Sequence, residues 1–294
     1  MILVLTGPTG SGKTDMAISL AKKLGGAIIN ADAFQVYREL NIATAKPSEA
    51  QRLEVPHFLF DFVPISSSYS VYEYQADLRA TIADLQEIHK PIIIAGGTGL
   101  YIRAGLYDYS FPEEKVVDLS VYEKMDDDTL YAALQKMDPE EAKTIHPHNR
   151  IRVLRAIKVY LSSGKKKSEI KAEQKHQPIY DDVYFFGLNA ERAPLYERVN
   201  QRVEEMFKAG LVEENRALYE KYGETPRAFQ AIGVKELFPY FRGEKNLEEC
   251  KEEIQKNTRH YVKRQETFFR HQFDIHWITQ EEEILDAISS SPLV

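Results

Sequence analysis

Gly7-Pro8-Thr9-Gly10-Ser11-Gly12-Lys13-Thr14 fits the spacing G-x-x-x-x-G-K-[ST]. The chemistry of that spacing is the holding of phosphate. Glycines let backbone N–H groups converge on anionic oxygens, Lys13 adds a point charge, and the Thr14 hydroxyl suits Mg²⁺. A helix opening at Lys13 aims the positive end of its dipole at the same anion. The loop does not say whether the phosphate belongs to ATP. A P-loop ATPase usually ends a later apolar strand with a Mg²⁺-binding aspartate. Here Pro91-Ile92-Ile93-Ile94-Ala95 runs instead into Gly96-Gly97-Thr98-Gly99. The carboxylate stands elsewhere, as Asp32, in Asp32-Ala33-Phe34-Gln35-Val36-Tyr37. At the carboxyl end of a strand beside the P-loop strand it faces the ligand crevice. Such a residue fits a base or a metal ligand, and it fits a turn cap as well.

These residues need a scaffold, and the hydrophobic pattern supplies one. Met1 to Thr6 reads as a buried strand, Lys13 to Leu24 as the helix after the loop, and Ala27 to Asn30 as a second strand. Phe58 to Phe62 reads as a third strand, Tyr72 to His89 as a helix, and Pro91 to Ala95 as a further strand. Short apolar strands alternating with helices predict a parallel sheet covered on both faces. Tyr109 to Asp182 shows helical segments and no strand, after which Val183 to Leu188 and Phe273 to Ile278 resume the strand pattern. Asn246 to His271 reads as one long helix. The expected fold class is α/β: a P-loop NTPase-like parallel core over 1–108 and 183–294, with a helical insertion domain at 109–182.

The 294 residues suffice for one large and one smaller domain. No apolar run approaches the ~20 residues of a membrane span, the amino-terminal run is too short for a signal peptide, and Cys250 is the single cysteine. A cytoplasmic protein without disulfide or cysteine metal cluster is the expectation. The net charge of −7 argues against a nucleic-acid partner, but it is an average. Ser110 to Ala142 holds ten acidic and three basic residues, whereas Lys143 to Lys171 holds nine basic and one acidic. The second segment fits an electrostatic footprint. It also fits a solvated helix face with a lysine-rich loop, and charge alone favours that plainer reading.

Several motifs together resemble the tRNA dimethylallyltransferases, also called tRNA isopentenyltransferases. They are the P-loop, Asp32 to Tyr37, Ala45-Lys46-Pro47, and Gly96-Gly97-Thr98-Gly99-Leu100-Tyr101. His146-Pro147 with Asn149 to Tyr160 follows, then Ala231-Ile232-Gly233 with Lys235-Glu236, and Lys263-Arg264-Gln265 with Phe269-Arg270. The likeness covers nearly the whole chain. Val234 departs from the family pattern where an aromatic is usual, and Phe269 lies where a tryptophan is common. The zinc finger of some eukaryotic relatives is absent.

The resemblance implies transfer of a dimethylallyl group from its diphosphate to N6 of the adenosine 3′ of the anticodon, position 37, by a monomer that binds no membrane. Gly7, Pro8, Thr9, Gly10, Ser11, Gly12, Lys13 and Thr14 would cradle the diphosphate, with Mg²⁺ at Thr14. Arg202 is the best further cation, with Arg198 second; four apart, the two read as sharing a helix face. Asp32 would take the proton of the adenine amine, beside Ala33, Phe34, Gln35 and Thr98. The implied tRNA contacts are Ile151, Arg152, Val153, Leu154 and Arg155; Gln230, Ala231, Ile232, Gly233, Val234 and Lys235; and Lys263, Arg264, Gln265, Glu266, Thr267, Phe268, Phe269 and Arg270. Tyr261 and Phe268 fit either base stacking or core packing, with packing favoured. Prenylation of free adenine nucleotides, a P-loop kinase, and a non-catalytic RNA-binding NTPase are the competing readings. The basic segment, the missing aspartate after Ile94, and Asp32 respectively argue against them.

Overall fold

A computed structural model describes residues 1–113, 115–174 and 176–290. The end of the expected core, 291–294, lies outside the described residues. Strands are β1 Ile2–Thr6, β2 Ala27–Asn30, β3 His57–Phe58, β4 Ile92–Ala95, β5 Val183–Leu188 and β6 His276–Ile278. Helices are α1 Lys13–Leu24, α2 Glu49–Glu54, α3 Val71–Glu87, α4 Gly99–Leu106, α5 Ser120–Glu123, α6 Asp127–Met137 and α7 Pro139–Ala142. They continue as α8 Arg150–Ser163, α9 Lys167–Glu173, α10 Arg192–Lys208, α11 Leu211–Tyr222, α12 Phe238–Phe241, α13 Leu247–Gln272 and α14 Glu282–Ser289.

The strands form one six-stranded sheet in the order β3-β2-β4-β1-β5-β6, and every pair is parallel. β1 is buried throughout because both of its faces are covered. On one face Leu3 and Leu5 pack with Ile28, Ile93 and Phe186 against Ala17, Leu20 and Ala21 of α1 and Ile284 of α14. The alternate residues Ile2, Val4, Ile29, Ile92 and Ile94 are buried too. Beyond them, the Tyr74 hydroxyl of α3 donates to the Asn30 carbonyl at 2.8 Å. Capping boxes at Ser70 and Asn246 start α3 and α13 where the polar-to-periodic switch puts them.

Two strands are shorter than expected. β3 ends at Phe58 rather than Phe62 because Leu59 and Asp61 take positive φ of 60° and 58°, which no strand accommodates. β6 begins at His276 because Phe273 caps the end of α13. The neighbours of β2 also differ from expectation. It pairs with β4 and β3 and not with the P-loop strand β1, so β4 stands between Asp32 and the P-loop.

The chain divides into two compact units, Met1–Gly105 with Tyr180–Val294, and Leu106–Ile179. The second unit is helical among its described residues, save an isolated bridge between Tyr107 and Pro178. Its core joins Leu130 and Leu134 of α6 to Val153, Ala156 and Ile157 of α8. Buried Asp138 ties α9 to α7 by accepting from the Ser168 amide at 2.9 Å and hydroxyl at 2.6 Å.

Candidate active site

The P-loop bends out of β1 with positive φ at Gly7, Gly10 and Gly12, a region that glycine alone enters at little cost. Gly12, at φ 89°, is the N-cap of α1, so the first amides of that helix are left without an intrahelical acceptor. The Ser11 hydroxyl oxygen is buried with no hydrogen-bond partner. A buried polar atom of this kind is costly unless a ligand satisfies it, and phosphate oxygens would. Lys13 Nζ folds back to donate to the Pro8 carbonyl at 2.8 Å. Desolvation lowers the Lys13 pKa to about 7, helped by the Arg202 guanidinium and opposed by the Asp32 carboxylate.

Asp32 leaves β2 in a tight turn. Its Oδ1 accepts from the amides of Phe34 at 2.9 Å and Gln35 at 3.4 Å. The cap is therefore real, but it uses one oxygen; no described hydrogen bond engages Oδ2, and Asp32 lines the cavity beside the P-loop. Burial raises its pKa, while the two amides, Lys13 and Arg202 pull it down. The turn is held from below: Asn30 Oδ1 accepts from the Asp32 amide at 2.9 Å, and Thr98 Oγ1 accepts from the Ala33 amide at 3.0 Å. Thr98 thus supports the turn and does not itself line the cavity.

The interposed β4 does not screen Asp32 from Lys13, because it ends in Gly96-Gly97. A Cβ on Gly96 would meet the Ala31 backbone at 2.3 Å, and one on Gly97 would meet Gln265 Nε2 at 2.1 Å. Where an ATPase strand carries its aspartate, this strand carries close-packed backbone. Gln265 locks the arrangement: its Oε1 accepts from the Thr9 amide at 2.9 Å and its Nε2 donates to the Gly97 carbonyl at 3.0 Å.

The resulting cavity of about 350 Å³ is lined by Lys13, Thr14, Asp32, Gln35 and Arg202 on its polar side, and by Phe60, Val199, Val203, Met206 and Ile254 among its apolar residues. Val199, Arg202, Val203 and Met206 are one stripe of α10 at spacings of three and four. Arg198 is off that stripe, exposed and outside the lining. Arg202 is desolvated, which lowers its pKa, while Asp32 raises it. On α13, Ile254, Thr258 and Tyr261 form a second stripe at spacings of four and three. Sequence reasoning gave Thr258, Met206 and the apolar wall no role; the signal available was this helical spacing. Tyr261, for which core packing is favoured over base stacking, lines the cavity and donates to the Gly97 carbonyl at 3.4 Å.

The residues expected to face tRNA split by helix periodicity. Ile151, Arg152, Arg155, Lys235, Lys263, Arg264, Thr267 and Arg270 are exposed, and Leu154 and Phe268 are partly buried. Gln230, Ala231, Ile232, Lys235 and Arg264 line the cavity. Arg264 lies 5.7 Å from the Tyr261 ring centroid, and Arg270 lies 4.6 Å from that of Trp277. Val153, Gly233, Val234, Gln265, Glu266 and Phe269 are buried in the interior. Glu266 takes an ion pair from Arg192 at 3.2 Å. The family departures at Val234 and Phe269 therefore fall in the core. On α13 Lys256 is also exposed, whereas Arg259 donates to Asn200 at 2.6 Å. The lysine run is also internally matched: Lys165 pairs with Glu173, Lys166 with Glu169, and both Lys167 and Lys171 with buried Glu141. Among the described residues no helix is long and apolar enough to cross a membrane.

Comparison with known proteins agrees with this geometry. A family model described as IPP transferase matches residues 35–272. The tRNA dimethylallyltransferase of Anoxybacillus flavithermus is 44% identical over 286 residues, 97% of this chain and 92% of that protein. That of Geobacillus thermodenitrificans is 43% identical, covering 94% and 89%. A tRNA isopentenylpyrophosphate transferase structure from Staphylococcus epidermidis superposes with a TM-score of 0.73 at 37% identity, covering 98% of this chain and 97% of that one. A eukaryotic dimethylallyltransferase solved acting on tRNA gives a TM-score of 0.85 at 29% identity, covering 99% and 80%.

Proposed function

This chain belongs to the IPP transferase family, and we propose that it transfers a dimethylallyl group from dimethylallyl diphosphate to N6 of the adenosine at position 37 of tRNA. The observation that carries this reading is the joining of Lys13, Arg202 and Asp32 in one cavity that also has an apolar wall. The cations and the P-loop amides hold the diphosphate; Phe60, Val203 and Met206 suit the hydrocarbon. The adenine is swung out of its stack to enter. The allylic carbon–oxygen bond breaks as diphosphate departs into a preorganised cationic cradle. N6 bonds to that carbon, and its proton passes to the Asp32 carboxylate, whose pKa burial has raised.

The residues present fit Mg²⁺. Among the described residues no cluster of three or more His, Cys, Asp or Glu could hold a metal, yet Thr14 lines the cavity beside orphaned Ser11. One hydroxyl, diphosphate oxygens and waters are a donor set that Mg²⁺ accepts. Held there, it would neutralise charge on the leaving diphosphate. Lys235, Lys263, Arg264 and Arg270 of the α/β unit are proposed tRNA contacts, and so, separately, are Ile151, Arg152 and Arg155 of the helical unit. A monomer in the cytoplasm suits this reading. The test is labelled dimethylallyl diphosphate incubated with unmodified tRNA, with adenosine monophosphate, or alone. Label should enter tRNA only; label in the mononucleotide, or release of diphosphate without an acceptor, would overturn the assignment.

A further inference from the structure

The segment 39–45 lies between the Asp32 turn and α2, and it carries two strained backbones: Glu39 at φ 63° and Ala45 at φ 47°. Non-glycine residues persist there only when their surroundings over-determine them. The segment matters because Ala43, Thr44 and Ala45 line the cavity. Gln35 Nε2 also donates to the carbonyls of Thr44 at 3.0 Å and Ala45 at 3.3 Å. Gln35 in turn gives its own amide to Asp32 Oδ1.

What fixes this segment is α11. The carboxylate of Glu214, in its first turn, accepts from three successive amides: Asn41 at 3.0 Å, Ile42 at 3.0 Å and Ala43 at 3.2 Å. Successive amides converging on one anion form a nest, here filled by the protein's own carboxylate. At the other end of α11, Lys221 and Tyr222 each donate to Glu39 at 2.8 Å. Glu39 and Lys221 are exposed, whereas Glu214 is partly buried, so the Glu214 clasp is the stiffer one.

We propose that Glu214 is a positioning residue for the acceptor half of the site. It sets the 41–45 backbone, which sets Gln35 and through it the Asp32 turn. This rests on the reading of the cavity as a prenyl-transfer site. Glu214→Gln keeps the size but removes the charge and turns one acceptor into a donor facing backbone N–H groups.

The experiment is single-turnover transfer from dimethylallyl diphosphate to tRNA with enzyme in excess. With enzyme titrated to saturation the plateau rate constant is independent of the folded fraction, which circular dichroism reports separately. Glu214→Gln should lower that rate constant about tenfold, a cost in keeping with displaced catalytic groups, with its folded fraction unchanged. Its KM for dimethylallyl diphosphate should move less than about twofold, because the P-loop is untouched. Glu214→Asp, which keeps the anion on a shorter arm, should fall between, and it carries the test if the glutamine variant does not fold. Adding Gln35→Met to Glu214→Gln should cost nothing more than the worse single change. A wild-type rate constant, a loss confined to the folded fraction, or additive single effects would overturn the positioning role. Failure of the wild-type protein to label tRNA would instead sink the prenyl-transfer reading itself.

Discussion

Replacing Asp32 by asparagine removes charge and basicity while leaving the turn intact, because the structure separates the two duties of this side chain. Oδ1 caps the amides of Phe34 and Gln35; an asparagine oxygen accepts the same bonds. Asp32 lines the cavity, and no described hydrogen bond engages Oδ2, the oxygen that the proposed base would use. The expected change is a fall of about two to four orders of magnitude in the single-turnover rate, the span of a general base, or about 3–5 kcal/mol of activation free energy. Asp32→Ala should add a melting-temperature decrease worth about 1 kcal/mol, the value of a lost cap. Asp32 also raises the Lys13 pKa, which stands at about 7 in its presence. Removing the carboxylate lets that pKa fall further, so the asparagine variant should bind dimethylallyl diphosphate best at a lower pH than the wild type does. The assay is rapid-quench transfer to saturating tRNA across pH and Mg²⁺ series, with donor affinity measured separately. A rate near wild type at saturating donor would refute the base. Recovery on raising Mg²⁺ would move Asp32 to the metal.

Lys13→Ala should nearly abolish transfer while tRNA affinity stays within about twofold, as measured by filter binding. With Lys13 titrating near pH 7, roughly a tenth of the free enzyme is protonated at pH 8. Diphosphate favours the charged lysine, so binding takes up a proton and affinity falls as pH rises above 7; calorimetry in buffers of different ionisation enthalpy should register that uptake and lose it in Lys13→Ala. Arg202→Ala should cost about a hundredfold or more in rate and Arg198→Ala less than about threefold, and equal losses would put the cation stripe of α10 elsewhere. Arg152→Ala should flatten the salt dependence of tRNA binding by about one unit, whereas Lys166→Ala, whose partner is Glu169, should leave the slope nearly unchanged.

The parts of this site legible in the sequence are those carried by local chemistry. The P-loop is contiguous, and its glycines announce themselves. Asp32 stands out because β2 is apolar up to Asn30 and then turns polar. The ordered motifs of the family mark contiguous runs, but a helix turns 100° per residue and shares each run between core and surface. Gln265, Glu266 and Phe269 point inward while Lys263, Arg264, Thr267 and Arg270 point out. The spacing of Val262, Gln265 and Phe269 already implied that division. Strand order was not legible in the same way. Nothing in the residues of β2 says that β4 intervenes between it and β1. The apolar wall was invisible because Phe60, Val203 and Ile254 come from three distant segments, each with an ordinary core residue.

The three charges of the cavity also constrain the order of events. Before donor binds, the amides of Phe34 and Gln35, with Lys13 and Arg202, lower the Asp32 pKa against the burial that raises it, and Asp32 in turn raises that of Lys13. A bound diphosphate would bring more negative charge to the same cations and offset their field at Asp32. The carboxylate would then be left with burial and the two amides and become the stronger base. On the proposed reading, basicity toward the adenine amine should therefore rise once the leaving group is in its cradle. The same coupling makes the two half-sites dependent on one another without any movement of the backbone, because in a desolvated cavity charges act on each other strongly over several ångströms. It follows that inorganic diphosphate, which cannot react, should raise the Asp32 pKa in the wild-type protein. Carbonyl-carbon NMR of labelled aspartate would read that shift directly, and a pKa that stays still or falls on adding diphosphate would break the proposed link between leaving-group binding and proton abstraction.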